Sequence, residues 1–188
     1  MLSKSSELLL NSLTQYYHTN PEHMHILEDI IEGKYTISLR VVDWFITHYS
    51  KYNNILYWID TKQDRLYESI KEIHPNLRKF HLYLEYRSQL KSYTKYFFDP
   101  FRRHDRISFI VKHKPRTTIE TTVGQLNFFR WVFQNHILEY ILKYQKDIEL
   151  AMNQEYSKKK NNIIKPIRGQ GKTIQNTFMQ SQCFLRFD

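Results

Sequence analysis

One cysteine, Cys183, four glycines and five prolines are all that 188 residues contain of these types. A lone cysteine excludes an internal disulfide, so the fold must hold without one, which fits a reducing compartment such as cytoplasm or nucleus. Scarce glycine and proline mean few sharp turns, which favours helices over a many-stranded sandwich. Long apolar runs are missing too: near the N-terminus three leucines, Leu8, Leu9 and Leu10, are broken by Asn11 and Ser12. That run is too short for a signal-peptide core or a membrane span, so neither export nor a membrane partner is expected.

Aromatic residues are abundant by contrast, with 14 tyrosines and 12 phenylalanines, and 41% of the chain is hydrophobic, enough to bury a real core in one domain. The net charge of +9 is concentrated. Residues 100–116 carry six basic residues against one acidic, and residues 157–188 carry seven against one, whereas residues 1–99 balance at twelve of each. Positive charge gathered into two short segments is the electrostatic footprint of a polyanion binder.

The hydrophobic pattern predicts a helix from about Ser5 to Tyr17, then a second beginning at Pro21 with Asn20 as cap and Gly33 as stop. Val41, Trp44, Phe45, Tyr49 and Tyr52 make a helical stripe that Thr36 or Ser38 could cap, and "NNILYWID" reads as a short strand or apolar connection. A helix opened by Asp60 or Thr61 is expected through Leu66, Ile70 and Ile73. "LRKFHLYLEYRSQLKSYTKYFF" starts with strand alternation and continues at helical spacing until "FDPF". Arg106 to Lys112 has the β-branched and aromatic content of a strand. Thr117 and Glu120 have the spacing of a capping box, and a long helix is expected to run from there to Ile148, with Gly124 marking close approach of another element. The fold class is therefore mainly α, or α+β. It is a compact multi-helix domain over residues 1–156 with at most a small antiparallel sheet or hairpin, followed by a basic C-terminal arm over residues 157–188.

"RGQGKT", from Arg168 to Thr173, ends like a phosphate-binding loop. Such a loop needs a glycine five positions before Gly171, between a buried strand and a helix. Pro166 stands there and only 15 residues follow Thr173, so nucleotide hydrolysis is excluded on context. The segment reads instead as a glycine-loosened basic turn able to approach phosphates. In "FDPFRRHDRISFIVKHKPR", basic residues alternate with Phe101, His104 and Phe109, a mixture that serves phosphate pairing and base stacking, with Phe109 the best candidate for the core. His23 and His25 are the closest histidine pair, but with a single cysteine they fall short of a four-ligand zinc site. Neither a serine elbow nor an acidic cluster of two-metal type is present, and no cofactor or enzymatic role is expected.

Three blocks, "ISLRVVDWFITHYSKYNN", "SQLKSYTKYFFDPFRRHDRI" and "TTIETTVGQLNFFRWVFQNHILEYI", together resemble a protein that recurs among nucleocytoplasmic large DNA viruses, the giant viruses. In that pattern a cysteine often precedes the paired arginines after Asp-Pro-Phe; here Arg102 follows Phe101 directly, so no metal or redox role carries over. The resemblance implies a viral setting in host cytoplasm, and in the virion, and brings no catalytic residues with it. The expected function is nucleic-acid binding, to DNA or RNA, chiefly through phosphates, in genome organisation or transcription. The expected body patch is Arg102, Arg103, Arg106, Lys112, Lys114 and Arg116; the arm adds Lys158, Lys159, Lys160, Lys165, Arg168 and Lys172. The alternative is an assembly protein whose arm plugs another copy of itself or another viral structural protein through Phe178, Phe184, Leu185 and Phe187.

Overall fold

A computed structural model describes residues 4–70, 72–111 and 117–163. Helix α1 (Lys4–Thr19) leads into α2 (Pro21–Ile31), with the proline in the first turn, where its missing N–H costs nothing. Asn20 occupies the cap position, yet its side-chain amide donates backwards to Tyr16 O at 2.8 Å and so closes α1 rather than opening α2. Gly33, with φ +71, ends the pair in a left-handed turn. Ser38 then caps α3 (Leu39–Trp44), which passes through a π-helical turn (Phe45–Tyr49) into α4 (Ser50–Asn53).

Two antiparallel sheets follow. The first has the order β2-β1-β3, with β1 (Leu56–Asp60) between β2 (Arg65–Tyr67) and β3 (Leu77–His81). The helix expected after Asp60 does not form. Asp60 Oδ1 accepts from the backbone N–H groups of Lys62 and Gln63 at 2.9 and 3.0 Å, Asp64 takes φ +50, and the chain reverses into β2. A side chain that satisfies the two following N–H groups stabilises a turn as readily as a helix start, and the pairing of Ile59 with Leu66 decided between them.

Helix α5 (Leu82–Phe97) is broken near its end at Thr94 (φ 58), and a hairpin of β4 (Ile107–Val111) and β5 (Thr117–Thr121) comes next. The expected helix start at Thr117 is corrected by this hairpin. Ile119 pairs with Phe109 and both are buried, while Thr118 and Glu120 are exposed, the alternation of a one-sided strand. The true start lies five residues on: Thr122 caps α6 (Val123–Gln134) by accepting from Gln125 N–H at 3.1 Å. The single long helix is also divided, into α6, α7 (Ile137–Lys143) and α8 (Gln145–Ile163). The first break is His136 at φ +54, where the Asn135 amide caps Trp131 O at 2.7 Å. Helix α8 runs on past Tyr156 to Ile163.

Helix α6 is the centre of the molecule, packed against α1 on one side and α5 on the other. Leu126, Phe128, Phe129, Trp131, Val132 and Phe133 are buried around its circumference, as expected of a helix with neighbours on every side. Phe98 meets Phe128 and Trp131 at ring-centroid distances of 5.3 and 5.4 Å, and Tyr17 donates from its buried hydroxyl to Leu126 O at 2.9 Å. The protein is thus an α+β domain in which helices surround α6 and two small sheets flank it.

Candidate nucleic-acid interface

The basic segment after α5 is held in place by the N-terminal half of α6. Asp99 Oδ1 accepts from Phe101 N–H at 2.8 Å, folding the Asp-Pro-Phe turn on itself. Gln125 donates from Nε2 to Pro100 O at 2.9 Å, and its Oε1 is fixed by the Thr121 hydroxyl at 2.8 Å. Two residues further along, Asn127 donates to Phe97 O at 2.9 Å. Gly124 immediately precedes these clamps: a Cβ there would stand 3.0 Å from Tyr96 O and 3.5 Å from Arg102 Cδ. The close approach that this glycine signalled is the approach of the arginine loop itself.

Held this way, Arg102, Arg103 and Arg106 come to one groove of about 540 Å³. Its other side is formed by Ile31 and Glu32 at the end of α2, by Leu39, and by Thr118 to Thr122. The three arginines differ in state. Arg102 has a side chain only 19% exposed, pairs with Asp105 and lies 3.9 Å from the Tyr96 ring centroid, so much of its charge is spent on the loop. Its hydrogen bond holds the Asp105 carboxyl below the usual carboxylate range. Arg103 and Arg106 are exposed, and among the described residues neither pairs with a carboxylate. Phe101 beside them is 44% exposed. The groove's two glutamates are already engaged, Glu120 with the Ser108 hydroxyl and Glu32 with Lys34.

Behind the loop, Asp43 faces the charge of Asp99, and burial together with that neighbour pushes its carboxyl up to about 6. Phe109 is in the core, edge-on to Tyr17 at 6.0 Å. Lys158 is exposed on α8 and does not line the groove. Lys159 and Lys160 continue α8, but their side chains lie outside the described residues, as do Lys112, Lys114, Arg116, Lys165, Arg168 and Lys172. His23 accepts or donates to the Tyr16 hydroxyl at 2.7 Å and stacks on Phe133 at 4.6 Å; His25 lies on the far side of its turn, 3.7 Å from Glu28 and Asp29. Among the described residues no cluster of three His, Cys, Asp or Glu side chains is arranged to hold a metal ion, and no helix is long and apolar enough to cross a membrane.

Gln125 and Thr121, which aim the arginine loop, were hidden by the expectation of one helix across Thr117 to Ile148. The Thr-x-x-Gln spacing of Thr122 and Gln125 was the available signal, because it has the same capping logic as the pair at Thr117 and Glu120.

Fold and groove define a small α+β domain with an arginine-bearing loop clamped on its central helix. This chain belongs to the family described as "Family of unknown function (DUF7197)", whose model matches residues 2–182. It is 32% identical over 174 residues to "Uncharacterized protein L507" of Acanthamoeba polyphaga mimivirus, a giant virus. That alignment covers 90% of this chain and 61% of the relative, so the chain spans about three fifths of the relative's length. The resemblance to a giant-virus protein is therefore borne out, and neither match names an enzyme. No solved structure matches the chain.

Proposed function

We propose that the chain is a viral nucleic-acid-binding protein that contacts phosphates with little base readout, in genome organisation or transcription in host cytoplasm, and that it performs no catalysis. One observation carries the reading: Arg103 and Arg106 stand exposed beside Phe101, in no ion pair among the described residues, on a loop held by the side-chain amides of Gln125 and Asn127. Phosphate contacts from such a pair position a strand, and an adjacent aromatic face supports stacking of an unpaired base. The charge of residues 157–188 adds to the attraction at longer range. The assembly alternative depends on Phe178, Phe184, Leu185 and Phe187, which lie outside the described residues.

The test is fluorescence anisotropy with single- and double-stranded oligonucleotides between about 50 and 200 mM salt. Affinity should fall steeply with salt, and the double variant R103A/R106A should lower the log–log slope by about two. No binding to DNA or RNA at low salt defeats the proposal.

A further inference from the structure

A second concave site lies on another face of α6. Asn127, Arg130 and Trp131 of α6, with Asn135 just past its end, lie three or four residues or one residue apart and so share one side of that helix. Glu85 and Tyr93 of α5 lie across from them, and Arg78 of β3 closes the end, leaving a polar cleft of about 360 Å³, within the size range of small-molecule sites.

The manner in which its arginines are held is informative. Arg130 donates to Asn127 Oδ1 at 2.7 Å and to the Ser12 hydroxyl at 3.0 Å, while Arg78 donates to Asn135 Oδ1 at 2.6 Å. Both asparagines are buried and committed at their other ends, Asn127 to Phe97 O and Asn135 to Trp131 O. Each guanidinium is therefore oriented by a fixed, neutral acceptor, and among the described residues neither meets a carboxylate in an ion pair. A carboxylate partner would have cancelled the charge while positioning the group; an amide positions it and leaves the charge for a ligand.

From this arrangement we infer that the cleft binds a small phosphomonoester of about mononucleotide size. A phosphomonoester carries between one and two negative charges near neutral pH, which two guanidiniums match better than they match a single carboxylate. The half-buried Tyr93 offers the edge of a ring beside the cleft, Trp131 lies buried in its floor against Phe98, and Glu85 accepts from hydroxyl or amino groups at the ligand's other end.

The experiment follows tryptophan fluorescence of the full chain, with Trp131 in the floor as reporter, during titration with adenosine monophosphate, inorganic phosphate and adenosine. Saturable responses to the first two and none to adenosine are expected. R78Q and R130Q should each weaken binding about ten-fold or more, and R103A/R106A should leave it unchanged. Competition by a 5′-phosphorylated oligonucleotide, and not by its unphosphorylated counterpart, would identify a nucleic-acid end as the source of the phosphate; absence of competition would identify a free metabolite. The inference is overturned if neither phosphate compound binds at millimolar concentration, if both arginine variants bind normally, or if the groove variant abolishes the response. Arg78 is exposed on its strand, so R78Q decides the matter if R130Q does not fold.

Discussion

Replacing Gly124 with alanine sets two effects of known size against each other. In an open helix the change would stabilise by up to about 1 kcal/mol, since glycine pays more backbone entropy than any other residue. Gly124 is not in the open: the new methyl would stand 3.0 Å from Tyr96 O, a backbone atom, and 3.5 Å from both Arg102 Cδ and Asp99 N. Relief requires the 96–102 loop to move away by a few tenths of an ångström. The amide clamps of Gln125 and Asn127, on the same helix, oppose that movement. Overpacking of this kind costs about 1–3 kcal/mol, so after the helix gain a net loss of up to about 2 kcal/mol is expected, or up to about 8 °C in Tm for a chain of this size. Thermal unfolding by circular dichroism measures it, and nucleic-acid affinity should weaken in parallel, because Arg103 and Arg106 directly follow the segment that moves. A G124A protein that melts at or above the parent temperature would refute the claim that α6 and the arginine loop are locked together.

Three further outcomes are expected. Asp43 titrates near about 6 in the fold against an ordinary 3.8, so between those values the folded protein holds the proton more tightly than the unfolded chain does; stability falls as pH rises through that window, and the cost is complete above it. D43N should therefore gain about 1–2 kcal/mol at pH 7.5, a figure reduced for partial exposure, and little at pH 4, as measured by urea unfolding at both values. T122A should lose about 1 kcal/mol by removing the cap of α6, whereas E120A should cost under about 0.5 kcal/mol; the reverse order in denaturant titrations would restore the helix start at Thr117. Y57F removes a buried 2.7 Å hydrogen bond to Asn135 O and should cost about 1–2 kcal/mol in the same assay.

Helical periodicity was reliable wherever a segment buries one face for several turns, as in α1, α2 and the later half of α5. It misled at Thr117 to Thr121, where a capping signature and a strand use the same residues. There the decisive interaction is pairing with Ile107 to Val111, which local spacing does not encode. The break at His136 was equally hidden, because the apolar stripe continues across it from α6 into α7 while the backbone turns. Of the candidate site, the location of the arginines was legible from charge alone. Their unequal states were not: Arg102 is bound to Asp105 and Tyr96, while among the described residues Arg103 and Arg106 form no ion pair, a difference made by side chains folded around them.

Composition and order of residues were enough to establish a helix-rich body, a core rich in aromatic rings, two concentrations of positive charge and kinship with a giant-virus protein. These depend on quantities that are local or additive along the chain. Tertiary packing alone decided that α6 is central, that Gln125 and Asn127 aim one arginine loop, and that Asn127 and Asn135 orient two other arginines into a separate cleft. Those outcomes join residues far apart in sequence, and no local pattern specifies which distant carbonyl or guanidinium a buried amide will meet.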